Sequence, residues 1–166
     1  MKKLLVAAAA VSLLGVAAPA SAQVYGTIGY SQFDLDPVSI GAVTGRLGWN
    51  SASFFGVEGE ASFGVSDDTV GLTDFDLNSD LGVFVTGRLP VNEQFDVFGR
   101  VGYARTEIEV TPGGDDDASG LAWGIGANWF FDDANGVRLD WTQRDTEDDF
   151  GEDIDVWSIS YVRRFR

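Results

Sequence analysis

Cysteine and histidine are absent from the 166-residue chain, and lysine occurs only at positions 2 and 3. Without cysteine there is no disulfide framework, no thiol chemistry and no thiolate metal site. Without histidine, the side chain best suited to proton transfer near neutral pH is missing. Basic charge is scarce as well: after Ala22, nine arginines face 26 acidic residues, a net of −17. A polyanion would meet no basic patch, so nucleic acid is excluded as a partner. Helical periodicity is also lacking, since no segment after Gln23 sustains apolar residues at a spacing of three and four. Yet 45% of residues are hydrophobic and 13% aromatic, too apolar for the disorder that such acidity would otherwise imply.

The apolar run at the start follows Lys2 and Lys3 and ends on Ala20-Ser21-Ala22, the small-residue pattern cut by signal peptidase. Ser12 and Gly15 interrupt the run and no stop-transfer pattern follows, so a retained membrane helix is not expected. The expectation is a cleaved signal peptide over 1–22 and one domain over 23–166.

What the rest of the chain holds is alternation with period two. In the segment 54–65, Phe55, Val57, Ala61, Phe63 and Val65 share one face, while Glu58, Glu60 and Ser62 share the other. In 120–131, Leu121, Trp123, Ile125, Ala127, Trp129 and Phe131 alternate with smaller or more polar residues. Similar segments at 24–32, 38–49, 78–89, 95–105, 136–144 and 156–166 bring the count to eight, separated by Gly, Pro, Asn and Asp clusters. An all-β fold follows, and the pattern fits an eight-stranded antiparallel up-and-down transmembrane β-barrel. The alternation alone leaves open which face is inside, because a soluble periplasmic ligand-binding barrel turns its apolar face inward.

The arginines bear on that choice. Arg46, Arg88, Arg100 and Arg138 lie on the polar parity of their strands, and facing lipid would cost roughly 2–4 kcal/mol each at the bilayer midplane. Several such terms would rival the net stability of a domain, ~5–15 kcal/mol. In a membrane they must point inward, where Glu58, Glu60 and Asp140 share their face and supply partners. The seven residues are the expected lumen charge network. Closure follows from the solvent, since an open sheet edge in hydrocarbon leaves unpaired N–H and C=O groups.

With Gln23 at the periplasmic side, the outward connections are 31–39, 64–80, 106–120 and 144–156, and nineteen of the 26 acidic residues lie in them. The inward connections, WNSAS, LPVNEQ and FFDDANG, are short, which is the asymmetry of outer-membrane barrels. Trp49, Phe55, Phe95, Trp129, Phe131 and Tyr161 then fall at the periplasmic ends. Phe63, Tyr103, Trp141 and Trp157 fall near the outer ends, giving two interfacial girdles.

Together with the signal peptide and the eight-strand rhythm, the opening VYGTIGYS and the ending SISYVRRF resemble the small outer-membrane β-barrel proteins of Gram-negative bacteria. That group includes the barrel domain of the OmpA family, OmpX-like proteins and related porin-family surface antigens. The resemblance implies integral residence in the outer membrane after export, with lipid and lipopolysaccharide as surroundings. It also implies periplasmic chaperones and the barrel-assembly machinery as partners during biogenesis, with Tyr161 and Phe165 in the C-terminal strand that this machinery reads. Family members usually end on the aromatic and keep alternate positions before it apolar, whereas here Arg166 follows Phe165 and Arg163 stands outward. Both would sit at the periplasmic rim, where a long side chain can snorkel. The peptidoglycan-binding domain of full OmpA-type proteins is not expected.

Other motifs are weaker. Asp74-Phe-Asp76-Leu-Asn78-Ser-Asp80 begins like an EF-hand loop, but Ser79 replaces the required glycine and Val85 the closing glutamate. Asp115, Asp116 and Asp117 and the acidic run from Asp145 to Asp155 read as solvated loop charge, so no metal or cofactor is expected. Gly124-Ile-Gly126 is no dinucleotide fingerprint, since Trp129 holds the third glycine position, and glycine there is expected to relieve crowding on the inner face or to permit a bend. Barrel enzymes of the acyltransferase, deacylase, phospholipase and omptin groups use histidine, which this chain lacks. Glu58 and Glu60 have no nucleophile or oxyanion site beside them, and no catalytic residue is assigned. The expected function is a non-enzymatic integral barrel with a structural, surface-exposed role, a charge-plugged lumen and long acidic extracellular loops open to an extracellular ligand. A narrow small-ion channel is the first alternative and the soluble barrel the second.

Overall fold

The structure is a computed structural model that describes residues 23–35, 38–51, 54–66, 68–70, 73–111, 114–145 and 153–165. The segment 1–22 and Arg166 lie outside the described residues, as does most of the acidic run between Asp145 and Asp155.

Among the described residues nine strands follow in chain order: β1 (Gln23–Leu35), β2 (Val38–Asn50), β3 (Phe55–Ser66), β4 (Asp68–Val70), β5 (Thr73–Pro90), β6 (Phe95–Thr111), β7 (Gly114–Phe130), β8 (Asn135–Arg144) and β9 (Ile154–Phe165). Each long strand pairs antiparallel with its sequence neighbour, β3 pairs with β5, and β1 pairs with β9. Eight strands therefore close on themselves, while the three-residue β4 is a spur paired only with β5. Closure removes both edges, as backbone in hydrocarbon requires.

Side-chain parity sets what faces where. On β5, Val83 is 70% exposed and its neighbour Phe84 1%. Outward residues include Ile28, Val57, Val85, Val101, Ile125, Leu139 and Ile159, all about half exposed or more, while most of the buried inward side chains are polar or charged. This is the inverse of a water-soluble barrel, and the ligand-binding alternative is overturned by it: an apolar belt of this extent is tolerable only against lipid. The aromatics flank the belt, with polar tips engaged: Tyr103 Oη donates to Ser119 Oγ at 3.0 Å, Trp141 Nε1 to Asp155 at 3.1 Å, and Tyr161 Oη bonds Asn135. Such amphipathic rings suit a membrane–water boundary.

The two ends differ. At one end the connections are the short stretches 51–54, 91–94 and 131–134. In the last, Asp132 Oδ1 accepts from the backbone N–H groups of Ala134 and Asn135. The Asn135 side chain and these amides hold its carboxyl below the usual range.

At the other end, strand pairing reaches further than the sequence suggests. Of the expected connections 31–39, 64–80 and 106–120, most residues are paired strand. β6 and β7 continue to Val110↔Gly114, with Glu107 opposite Asp117 and Glu109 opposite Asp115. Beyond the bilayer both faces of a ribbon are wet, so the apolar alternation stops while the hydrogen-bond ladder continues.

Glycine makes room where inward rings cross. Tyr25 faces Gly48 in the β1/β2 register, and Phe98 faces Gly126 in β6/β7. A Cβ at either glycine would run into the ring opposite. Gly126 thus packs against an aromatic ring, as a crowded lumen demands.

Candidate functional site

The inward faces of β2, β3, β6 and β8 converge on a layer of paired charge. Arg46 on β2 donates from Nε to Glu60 Oε2 at 2.5 Å and from its two terminal nitrogens to Asp140 at 3.3 and 3.2 Å, with Ser158 and Ser160 completing its donors. Arg100 on β6 reaches Glu58 at 3.0 Å, Glu60 at 2.6 Å and Thr142 Oγ1 at 3.0 Å. Arg138 on β8 forks onto Glu58 at 2.6 and 3.2 Å and bonds Asp140 at 3.1 Å. Tyr25 Oη donates to Glu58 Oε2 at 2.6 Å. These guanidinium and carboxylate groups have 0–2% of their side-chain surface exposed.

Six of the seven residues singled out from sequence meet in this layer, and Arg88 does not. It lies toward the short-turn end, 28% exposed at its side chain and 3.5 Å from Asp96. Two further members, Arg144 and Asp80, stand where the expected strands 136–144 and 78–89 overlap the expected connections, and were not among the seven. Arg144 donates to Glu60 at 2.7 Å and also bonds Asp80, which accepts from Thr106 at 2.8 Å and from Ser62 at 3.3 Å. Both share the parity of inward neighbours, Asp80 with Phe84 and Thr86, Arg144 with Arg138 and Asp140. That parity within the expected strands was the signal that could have found them. The EF-hand-like run is therefore paired strand over Asp74–Asp80, with its last aspartate turned into the barrel and Val85 turned outward.

Four arginines, Arg46, Arg100, Arg138 and Arg144, thus balance four carboxylates, Glu58, Glu60, Asp80 and Asp140. Stripping such groups of water costs several kcal/mol per ion. Only dense mutual pairing offsets that, and bidentate guanidinium contacts suit it best. Ring faces add cation–π contacts: Arg100 lies 4.4 Å from the Phe84 centroid, Arg138 3.9 Å from Phe98 and Arg144 5.0 Å from Phe33.

A second layer was not legible from parity. Toward the long-connection end, Phe33, Ile40, Ala42, Ile154 and Val156 point inward and pack as an apolar cluster, each at most 3% exposed. Here the inner face is greasy, so polarity alternation carries no inside-outside signal. At the short-turn end Tyr25, Phe130 and Val162 form a smaller cluster. The buried inward side chains thus run from an apolar cluster through a charged centre to a smaller cluster at the short-turn end. Chemically such a centre can stiffen a barrel. In it Glu58 and Glu60 are each held by arginines. Among the described residues no group of acidic side chains is arranged to hold a metal.

A closed barrel with a lipid-facing apolar belt, two aromatic rims and ion pairs inside is a transmembrane β-barrel. The chain belongs to the family of the outer membrane protein beta-barrel domain, whose sequence model matches residues 6–165. It is an integral protein of the outer membrane, and in such barrels the short turns face the periplasm.

Solved structures of similar fold include Ail, the attachment invasion locus protein of Yersinia pestis, determined in complex with the heparin analogue sucrose octasulfate. Its TM-score is 0.66 at 16% identity, covering 87% of this chain and 99% of that one. OprG of Pseudomonas aeruginosa gives 0.62 at 13%, covering 89% and 97%. Neisserial surface protein A gives 0.55 at 11%, covering 88% and 98%. At these identities the likeness is one of fold alone. No curated protein matches the sequence.

Proposed function

We propose that the protein is a non-enzymatic outer-membrane barrel whose lumen is a structural plug and whose acidic long-connection end faces the exterior for surface contact. The observation that carries this reading is the balanced central layer, in which every arginine has carboxylate partners and the side chains are at most 4% exposed. Ions crossing a barrel need a continuous polar path. The apolar cap formed by Phe33, Ile40 and Val156 interrupts any such path. Ail's ligand class does not carry over, since the long-connection segments hold nineteen acidic residues and a sulfated polyanion would be repelled. A cationic or lipopolysaccharide-bridging contact suits that charge better.

Export by the 1–22 signal and recognition of β9 by the assembly machinery belong to the same reading. Tyr161 and Phe165 lie half-exposed on the outer face of the strand that closes against β1, opposite Ile28 and Val24. Planar-bilayer recording of the refolded protein tests the plug. The expected result is a silent membrane with no discrete openings. Openings of the unmodified protein that vanish on charge reversal of Arg100 or Glu60 would establish the channel instead.

A further inference from the structure

Toward the short-turn end, the lipid-facing side of β9 reads Ile159, Tyr161, Arg163 and Phe165, all exposed. Arg163 is the single charge in this row. Its depth is fixed by the backbone, since the N–H of the next residue, Arg164, donates to Ala134 O in the turn 131–134 at 2.7 Å. Arg163 thus stands about one residue from the level of the turn, at the edge of the apolar belt. An arginine on the lipid face is tolerated at that depth because its long side chain carries the charged head to the boundary.

The register sets Arg163 between Gly26 on β1 and Asn135 on β8. Gly26 has no side chain, and the Phe165 ring leans over it, so that a Cβ there would lie 3.3 Å from the ring edge. Asn135 is engaged on both its side-chain atoms: its amide nitrogen donates to Asp132 and its oxygen accepts from Tyr161. Asp132, a carboxylate in electrostatic reach of Arg163, has both oxygens bonded within its own turn, by the backbone amides of Ala134 and Asn135 and by the Asn135 side chain. The membrane offers a better match, because a planar guanidinium fork fits two oxygens of one phosphate. Toward the bilayer centre the same face continues through Tyr161, Ile159 and, on β1, Ile28, which is opposite Tyr161. These side chains are 41–61% exposed and form an apolar track of the kind that acyl chains cover.

We infer that Arg163 binds the phosphate of a phospholipid headgroup in the periplasmic leaflet, with the acyl chains laid along the β1/β9 seam over Ile28 and Ile159. The choice of leaflet rests on the orientation proposed above. The phosphate contact does not depend on it, nor on the plug, so a test in micelles reads the contact alone.

Native mass spectrometry of the refolded protein, released from an uncharged maltoside micelle after titration with phosphatidylglycerol, tests it. The expected result is a single phospholipid retained on the barrel, with retention reduced roughly fivefold or more by Arg163→Gln and only about twofold by Arg163→Lys, which keeps the charge but loses the fork. Folding of each variant is checked by its unboiled gel mobility. Two comparisons on the unmodified protein need no variant. Monogalactosyl diacylglycerol with the same acyl chains, which lacks a phosphate, is expected to be retained severalfold less well. Excess inorganic phosphate is expected to leave the lipid in place, because a free anion gains nothing from the apolar track. Equal retention by the parent and Arg163→Gln, equal retention of the two lipids, or displacement by inorganic phosphate would overturn the inference.

Discussion

Replacing Glu60 by leucine is expected to lower the unfolding free energy by about 3–5 kcal/mol, the cost of stranding buried charge. Glu60 accepts from Arg46 at 2.5 Å, Arg100 at 2.6 Å and Arg144 at 2.7 Å, so it holds three arginines at shorter range than Asp140, whose three lie at 3.1–3.5 Å. Its loss leaves four guanidiniums facing three carboxylates where the side chains are at most 4% exposed. Urea unfolding of the barrel in lipid vesicles, followed by tryptophan fluorescence, would measure the change. Glu60→Leu combined with Arg46→Met restores the charge count and is expected to recover more than half of the loss, because neutral replacement of a whole buried pair is far less costly than breaking it. A Glu60→Leu barrel within about 0.5 kcal/mol of the parent, the usual range for a surface change, would mean that the centre is wet and the arginines are solvated.

The second large effect lies on the other face. Val85 is 54% exposed and sits in the middle of the outward-facing stretch of β5 from Leu81 to Leu89, beside Val57 on β3 and Val101 on β6. Val85→Arg is expected to cost roughly 2–4 kcal/mol in a bilayer, whereas Leu89→Arg, near the short-turn end, is expected to cost about 0–1 kcal/mol. The contrast between the two positions cancels most effects of composition and strand propensity. Equal costs at the two depths would place this face outside the hydrocarbon.

Strand parity was the part of the fold most legible in the sequence. Glu58 and Glu60 alternate with Val57 and Gly59, and the same period carries Arg100 and Arg138 inward, because a side chain on a strand has only two faces to choose from. The short turns were legible for a related reason: 51–54, 91–94 and 131–134 interrupt apolar alternation with Asn, Asp and Ser. What was not legible is where each strand stops at the other end. Asp80 and Arg144 stand where expected strand and expected connection overlap, because the apolar alternation fades there while backbone pairing, which needs no particular side chain, still holds them. The inward cluster of Phe33, Ile40 and Val156 escaped for the opposite reason: an apolar residue on the inner parity is indistinguishable from a lipid-facing one until register is known. Arg88 shared the right parity but not the right depth, and depth depends on how adjacent strands are staggered.

The absence of native cysteine makes one measurement decisive for the filled lumen. Ser62, Thr142 and Ser160 are at most 2% exposed and close to cysteine in size. Single Ser62→Cys, Thr142→Cys and Ser160→Cys variants, folded in vesicles, can be challenged with a charged water-soluble methanethiosulfonate, beside Val85→Cys challenged with a membrane-soluble maleimide. The expected result is that the three lumen thiols stay unreactive until the barrel is unfolded, while the Val85→Cys thiol reacts only with the lipid-soluble reagent. Rapid modification of the lumen thiols by the charged reagent in the folded protein would contradict a sealed centre and make the barrel a water-filled pore.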